Sequence, residues 1–276
     1  MLRDLLVFTV VLTCSGLLLA ATLIVLMART LLRPRRMNDG RATVVLKRLS
    51  PGDLNMPFEE LSFQVRDERT GQSLHLAAWW IPCGRSERTA LLIHGYSDAK
   101  VGAIAWAPTL HALGWNVLAI DLRAHGQSEG VLSTAGYWER HDVAQIINQF
   151  RAMRPLQTQA LVLFGVSLGA AVALATAALR DDIAGVIMES PFGDYRHAIA
   201  AHGQMRGLPG GAMRNAAVRV AEWMSGADFR AVRPTAIIAR ATCPVMVIHA
   251  GDDPLDRKST RLNSSHLKLS RMPSSA

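Results

Sequence analysis

The sequence predicts an α/β fold in which helices cover both faces of a mostly parallel sheet. From about Leu61, short apolar runs alternate with helical segments, which is the order in which crossover helices join parallel strands. Most of these runs are apolar throughout, as expected for strands that are buried on both faces. A long uncharged run, Leu5–Ala28, comes first and predicts one transmembrane helix ahead of the domain.

The predicted elements then follow the chain in order. Two apolar runs on either side of the polar stretch Arg66–Ser73 predict an antiparallel hairpin. Apolar runs and helical periodicity locate the remaining elements. Buried strands are predicted at 89–95, 115–121, 160–164, 183–189 and 245–250, and helices at 103–113, 139–153 and 168–179.

Residues 192–241 break this alternation. Two helical patches, Tyr195–Met205 and Ala212–Met224, flank the glycine-rich stretch Gly207–Gly211. We interpret this segment as a small helical cap inserted over the carboxyl ends of the strands, where ligands bind in open α/β sheets.

The charge distribution predicts the domain organisation and argues against nucleic acid as a partner. The formal charge is +8, and residues 1–41 carry +4 of it while residues 257–276 carry +5, which leaves −1 for residues 42–256. A near-neutral centre offers no electrostatic footprint for a phosphate backbone. We therefore expect an anchor with a basic flank over 1–41, an α/β domain over 42–256 that contains the cap, and a basic tail over 257–276.

The membrane is a predicted partner through residues 5–28. These 24 uncharged residues are long enough, at 1.5 Å per residue, to cross a hydrocarbon core of ~30 Å. A cleaved signal peptide is the alternative, but its apolar region is usually only ~7–15 residues long. Arginines follow the run at 29, 33, 35 and 36, which predicts by the positive-inside rule that the domain lies on the cytoplasmic side.

The three cysteines, Cys14, Cys83 and Cys243, are far apart in the sequence. Their odd number and wide spacing argue against a disulfide framework, and no Cys/His group has the spacing of a metal site. The sequence therefore predicts no cofactor and no metal. No feature specifies an oligomeric state.

One short motif carries the predicted chemistry. Gly165–Gly169 reads G-V-S-L-G and lies between an apolar strand and an alanine-rich helix, which is the setting of a nucleophile elbow. Small residues on both sides of Ser167 tolerate a strained turn, and the following helix N-terminus stabilises negative charge. The alternative is a serine that merely caps the helix after a glycine-rich turn.

Four motifs in order strengthen this interpretation. They are His94-Gly95-Tyr96, Asp121-Leu122-Arg123-Ala124-His125-Gly126-Gln127-Ser128, Gly165–Gly169 and His249-Ala250-Gly251-Asp252-Asp253-Pro254. With them, residues 57–256 resemble the α/β-hydrolase superfamily, in particular its serine-aminopeptidase-like and esterase-like branch. Members usually have glycine where Ala124 and Ala250 stand here.

This resemblance implies roles for individual residues. Ser167 is the implied nucleophile, and the backbone N–H groups of Tyr96 and Leu168 are the implied oxyanion donors. For the acid of the triad, which orients a histidine, the favoured residue is Asp253. The alternatives are Asp252 and Glu189.

The resemblance gives other motif residues a structural part. His94 is expected to brace the loop after its strand, and Arg123 and His125 are expected to shape the wall of the site. Glu139 and Asp142 stand in the first turn of a predicted helix, where acids are favourable without any catalytic role.

A serine nucleophile also needs an adjacent base. In the chain order Ser–Asp–His the base follows Asp253, and the histidine found there is His266. Its surroundings, residues 257–276, contain six serines and no acid, and they resemble translated sequencing-library adapter DNA. We expect an artefactual or disordered tail from about Arg257, a chain that ends before its catalytic histidine, and activity near background.

Two functions are therefore weighed. The first is hydrolysis of an ester, thioester or amide through an acyl-enzyme on Ser167, with a small acyl substrate for which lipid-derived esters are candidates. The second is a non-catalytic, membrane-tethered binding module that keeps the fold.

Overall fold

A seven-stranded sheet organises the part of the chain that the structure, a computed structural model, describes, namely residues 1–205 and 211–249. The strands are β1 (Glu59–Arg66), β2 (Ser73–Ile81), β3 (Arg88–Ile93), β4 (Asn116–Ile120), β5 (Ala160–Val166), β6 (Gly185–Glu189) and β7 (Val245–Ile248). Their order across the sheet is β1-β2-β4-β3-β5-β6-β7. The predicted α/β-hydrolase fold, with a mostly parallel sheet, is confirmed.

The sheet has an antiparallel edge and a parallel body. β1 and β2 form the predicted antiparallel hairpin, with Phe63 opposite Leu76, and β2 also runs antiparallel to β4. β3 is parallel to both β4 and β5, and β6 and β7 continue in the same direction. The carboxyl ends of β3 to β7 therefore meet at one edge of the sheet.

Helices connect and cover these strands. In the described residues they are α1 (Leu2–Leu32), α2 (Asp39–Leu46), α3 (Lys100–Ala103), α4 (Ala107–Ala112), α5 (Glu139–Met153), α6 (Leu168–Ala177), α7 (Tyr195–Met205), α8 (Ala212–Ser225) and α9 (Pro234–Ile237). Short 3₁₀ turns lie at Pro51–Leu54, Ile104–Trp106, Leu156–Thr158 and Ile238–Arg240. The helix predicted at 139–153 is confirmed, and α7, α8 and α9 occupy the region between β6 and β7.

One predicted helix is wrong in its continuity. Residues 103–113 were expected to form a single helix, but α3 and α4 are separated by the 3₁₀ turn at Ile104–Trp106. Pro108 stands in the first turn of α4, where its missing N–H has no cost, whereas it would remove a hydrogen bond from a longer helix. Periodicity alone does not show this interruption.

The core lies on both faces of the sheet. Successive strand residues point to opposite sides, so Leu91 and Ile93 join the cluster under α5 and α6, while Ala90 and Leu92 join the cluster under α3 and α4. Every residue of α6 is buried. This helix begins directly after Ser167, so the core fixes the position of that serine.

The N-terminal helix has a part that is exposed and a part that packs against the domain. By length and composition α1 can cross a membrane, although a signal sequence at the N-terminus meets the same criteria. Its first 18 residues, Leu2–Leu19, are exposed, whereas Ala28 and Leu32 are fully buried in the main hydrolase core and α1 packs against α8. The end of α1 is therefore built into the domain that follows it.

Candidate active site

Ser167 occupies a strained turn between β5 and α6. Its φ of 52° and ψ of −108° lie in a region that non-glycine residues avoid, at a cost of about 1–3 kcal/mol that the surrounding structure must offset. A side chain on Gly165 would collide with the backbone of Gly169, and one on Gly169 would collide with the carbonyl oxygens of Ile93 and His94. Both glycines are therefore required for this close crossing.

The backbone of Ser167 is held while its side chain is left half-buried. Its N–H donates to the Glu189 carbonyl oxygen over 2.9 Å, and its own carbonyl accepts from the N–H of Ala170 over 3.1 Å. Although Ser167 stands at the N-cap position of α6, its hydroxyl makes no capping hydrogen bond there. The capping alternative therefore does not explain this serine.

The loop after β3 lies directly beside Ser167. The Cβ position at Gly95 is 3.7 Å from the Cβ of Ser167, so the next residue, Tyr96, lies at the same edge of the sheet. Leu168 is the first residue of α6, and the first amides of a helix have no partner within the helix. The two predicted oxyanion donors thus belong to segments on either side of the serine.

His94 is a structural histidine, as its position predicted. The N–H of Leu122 donates to Nε2 over 3.0 Å, so Nδ1 carries the proton and donates to the Gly95 carbonyl over 2.7 Å. The ring is fully buried. Burial, with a smaller contribution from His125, lowers the pKa of His94 to about 3, which keeps it neutral near pH 7. Both ring nitrogens are engaged, and they join β3 to the end of β4.

The Asp121–Ser128 motif forms a second wall built on buried ion pairs. The Asp121 carboxylate accepts from Lys100 Nζ over 2.7 Å and from the Gln127 N–H over 2.9 Å. The ring of His125 is tilted against that of His94, with centroids 4.8 Å apart and planes at 59°, and it lies edge to face with the ring of Tyr96 at 5.9 Å. Burial lowers the pKa of His125. This motif therefore supports the Tyr96 loop from behind.

Arg123 anchors the same motif in the core. Its guanidinium contacts both oxygens of Asp142, at 2.5 and 2.6 Å, and reaches Asp67 at 2.9 Å. Burial alone would lower the pKa of Arg123, but its hydrogen bonds to Asp142 raise it above its ordinary value, so it stays charged. A bidentate pair of this kind fixes geometry as well as charge.

Glu139 and Asp142 make buried contacts that their position in the first turn of a helix did not predict. Both are fully buried. Glu139 accepts hydrogen bonds from Ser133, from Thr134 and from the N–H of Gly136, at 2.6 to 3.1 Å. The pattern of acids in a first turn gives no sign of these partners, because they come from a loop with no regular period.

One of the three candidate acids, Glu189, lies at a neighbouring strand end. Glu189 ends β6, and its Oε2 accepts from the indole N–H of Trp106 over 2.6 Å. β7 lies beyond it, two strands from Ser167, and strands are spaced about 4.8 Å apart. The residues that follow β7 therefore start about 10 Å from the serine. Asp252, Asp253 and His266 lie outside the described residues.

Within residues 1–205 and 211–249, no group of three His, Cys, Asp or Glu side chains has an arrangement that could hold a metal ion.

Comparisons with known proteins support this fold. Residues 84–226 match the family model described as serine aminopeptidase, S33. The structure resembles an esterase from Pyrococcus furiosus with a TM-score of 0.60, at 23% identity over 82% of this chain and 79% of that one. It also resembles an alpha-beta hydrolase from Vibrio vulnificus with a TM-score of 0.56, at 15% identity over 84% and 76% of the two chains.

Curated relatives match over a shorter region. The chain is 29% identical over 170 residues to the uncharacterized protein YqkD of Bacillus subtilis, which covers 60% of this chain and 55% of the relative. It is 30% identical over 153 residues to protein bem46 of Schizosaccharomyces pombe, covering 54% and 50%. The chain thus spans about half the length of the curated relatives it matches.

The sheet order and the serine elbow define the chain as an α/β-hydrolase, and the solved structures share that fold. The family model covers just over half of the sequence. The chain therefore belongs to the serine aminopeptidase S33 family of hydrolases.

Proposed function

We propose that this protein hydrolyses an ester, thioester or amide through an acyl-enzyme on Ser167. The observation that carries the proposal is the strained φ of 52° at Ser167, held between two glycines that no larger residue can replace. Strain of this kind collects at functional sites. A hydroxyl lifted from the end of a strand, at the start of a buried helix, suits a nucleophile.

The proposed reaction assigns one step to each group. Ser167 Oγ attacks the acyl carbon while a histidine accepts its proton, and the N–H groups of Tyr96 and Leu168 stabilise the oxyanion. The leaving group then departs with that proton. Water, deprotonated by the same histidine, attacks the acyl-enzyme and releases the acid together with free serine. Asp253 is the proposed partner of the histidine.

The proposed location is a membrane, with the hydrolase domain on the cytoplasmic side. Two features support it: α1 has the length and composition of a membrane-crossing helix, and arginines cluster directly after it. The burial of Ala28 and Leu32 in the hydrolase core favours retention of the helix over its removal as a signal peptide. Lipid-derived acyl esters are accordingly the proposed substrates.

A fluorophosphonate probe tests the nucleophile. The serine oxygen displaces fluoride from phosphorus, so an active serine keeps a covalent label. The measurement covers residues 1–276 and, in parallel, the full product of the gene that encodes this sequence. In the form that contains the catalytic histidine we expect labelling that Ser167→Ala abolishes and that Ser190→Ala preserves. Ser190 is a suited control, because it also has a positive φ, 46°, at a neighbouring strand end.

His266→Ala distinguishes the sources of the base. Loss of labelling in this variant assigns the base to His266, and retained labelling assigns it elsewhere. Equal labelling of wild type and Ser167→Ala would overturn the proposed nucleophile. No labelling of either form would favour the alternative, a non-catalytic binding module on the same fold.

A further inference from the structure

The residues that join α1 to the domain are in contact with the candidate active site. We call Ala28–Arg36 the juxtamembrane segment. Ala28 and Leu32 are buried within the hydrolase core, so this segment begins inside the domain. Because Leu32 is fully buried, its packing holds the segment in one place.

The C-terminus of α1 is capped by side chains and amides of the hydrolase domain. The last four carbonyls of a helix lack partners within it, and here they are those of residues 29 to 32. The Arg29 carbonyl accepts from the N–H of Arg33, and the Leu32 carbonyl accepts from the N–H of Ser133 over 2.7 Å. The two between them, at Thr30 and Leu31, are supplied from the active site.

Tyr96 is the nearest donor to both. Its Oη lies 2.7 Å from the Thr30 carbonyl oxygen and 3.2 Å from that of Leu31, and the Leu31 carbonyl also accepts from the Tyr195 hydroxyl over 3.5 Å. Tyr96 is also the residue whose backbone N–H is a proposed oxyanion donor. A side chain fixed at its far end limits rotation of the peptide that carries it, so the helix end and the oxyanion amide are held by one residue.

A second contact reinforces the same loop. The backbone N–H of Arg35 donates to Ser97 Oγ over 3.2 Å, and Ser97 has a φ of 58°, which marks a tight turn directly after Tyr96. The loop is thus tied to the juxtamembrane segment at two successive residues.

Arg36 makes the third contact, with the loop behind Tyr96. Its guanidinium donates to the carbonyl oxygens of Gly126 and Gly130, both over 2.9 Å, and to that of Ser128 over 2.5 Å. The planar guanidinium fits several acceptors at once, which a lysine ammonium does less well. This loop carries His125, whose ring contacts Tyr96. Arg36 therefore supports Tyr96 through a second route.

We propose that the juxtamembrane segment positions the oxyanion loop of the active site, with the Tyr96 hydroxyl and Arg36 as positioning residues. This inference rests on the proposed function of Ser167. Under it, the arginines after α1 differ in role: Arg36 orients the site, whereas Arg35 contributes charge and a backbone N–H. Activity then depends on how the anchor helix is seated.

Four single variants of the full chain in detergent micelles test the proposal: Tyr96→Phe, Arg36→Ala, Arg36→Lys and the matched control Arg35→Ala. The measurements are hydrolysis of a p-nitrophenyl acyl ester, in whichever form of the chain labels at Ser167, and the melting temperature. Misplacing a reacting group by about 1 Å can cost ~100-fold in rate, so we expect kcat to fall at least about tenfold in Tyr96→Phe and Arg36→Ala.

The pattern of effects separates positioning from simple stability. KM should stay within about twofold, because ground-state binding is not lost. Arg36→Lys should recover only part of kcat, and Arg35→Ala, which removes the same charge one residue earlier, should keep it. The proposal is overturned if Tyr96→Phe and Arg36→Ala retain wild-type kcat, or if kcat falls only as far as the folded fraction falls.

Amide hydrogen exchange provides a readout that does not need catalysis. Under the proposal, residues 94–98 exchange faster in Tyr96→Phe and Arg36→Ala than in Arg35→Ala. If the wild-type chain shows no Ser167-dependent labelling, the proposed function fails, and the exchange result then decides the positioning role. Unchanged exchange at 94–98 in both variants would overturn that role.

Discussion

The indole N–H of Trp106 donates a 2.6 Å hydrogen bond to the carboxylate of Glu189. Glu189 ends the strand beside that of Ser167, and its backbone carbonyl accepts the Ser167 N–H. One of the alternative triad acids therefore already has a partner. The Glu189 carboxylate holds the 3₁₀ turn that contains Trp106 against the strand end, which is a structural role.

Replacing each acid separately should distinguish their roles. We expect Asp253→Asn to lower kcat of the form that labels at Ser167 by about 10⁴-fold, since an amide there favours the wrong histidine tautomer. Glu189→Gln should cost less than about tenfold, because an amide oxygen still accepts from Trp106. Ester hydrolysis under saturating substrate measures both, and the reverse ranking would assign the acid to Glu189.

A methyl group at Gly169 should disrupt the elbow. It would overlap the carbonyl oxygens of Ile93 and His94, so we expect Gly169→Ala to destabilise the fold by about 1–3 kcal/mol or more and to abolish labelling of Ser167. Gly185→Ala is the control, because a Cβ there makes ordinary contacts at 3.5 Å or more. Thermal unfolding followed by tryptophan fluorescence compares them, and equal melting temperatures would contradict the packing argument.

Breaking the buried ion pair of Arg123 should lower the free energy of unfolding far more than breaking a surface ion pair. Removing one partner of a buried pair costs about 3–5 kcal/mol, so Arg123→Ala should destabilise strongly by leaving Asp142 and Asp67 without it. Arg154→Ala breaks the more exposed pair with Glu59, for which about 0–1 kcal/mol is expected. Urea unfolding in micelles measures the difference. Similar losses in both variants would show that burial does not govern the pair.

Stability should fall as the solution becomes more acidic, in part because of His94. Its pKa is about 3 in the folded protein and about 6.5 when unfolded. Between these values the unfolded state binds more protons, so stability decreases as the pH falls from about 7 towards 3. The loss from this residue is about 2 kcal/mol by pH 5. His94→Gln should flatten this slope in urea titrations at pH 5 and 7, and an unchanged slope would exclude His94 as its source.

The two parts of α1 should respond differently to truncation of a leucine. Leu32 is fully buried whereas Leu19 is 62% exposed. Leu32→Ala should cost about 2–5 kcal/mol of unfolding free energy, and Leu19→Ala should change it by less than about 0.5 kcal/mol. Melting temperatures in micelles report both. Equal, small effects would mean that the juxtamembrane segment is not part of the hydrolase core.

Local patterns were sufficient for much of the fold and for the elbow. Apolar runs marked all seven strands. Central strands such as β3 and β4 are buried on both faces and need little else to be recognised. The strained turn at Ser167 could be predicted because its flanking glycines, the preceding strand and the following alanine-rich helix all lie within a few residues of it. These features are contiguous in the chain.

Contacts between distant segments were not predictable in the same way. The arginines at 35 and 36 indicated membrane topology, but nothing in their spacing indicated that Arg36 would bind carbonyls about 90 residues away. The partners of Glu139 lie in an irregular loop, and Tyr96 reaches a helix end 66 residues earlier. Such pairs depend on tertiary packing, which a single sequence does not display.

The unbroken course of α1 sets how the enzyme would sit on a bilayer. Its last turn is embedded in the core and its exposed portion, Leu2–Leu19, measures about 27 Å at 1.5 Å per residue, close to the thickness of the hydrocarbon layer. No flexible linker separates the exposed portion of α1 from its buried last turn, so the domain would not rotate freely above the lipid headgroups. Under the proposed membrane location, Ser167 would therefore stay at a constant height and tilt relative to the bilayer.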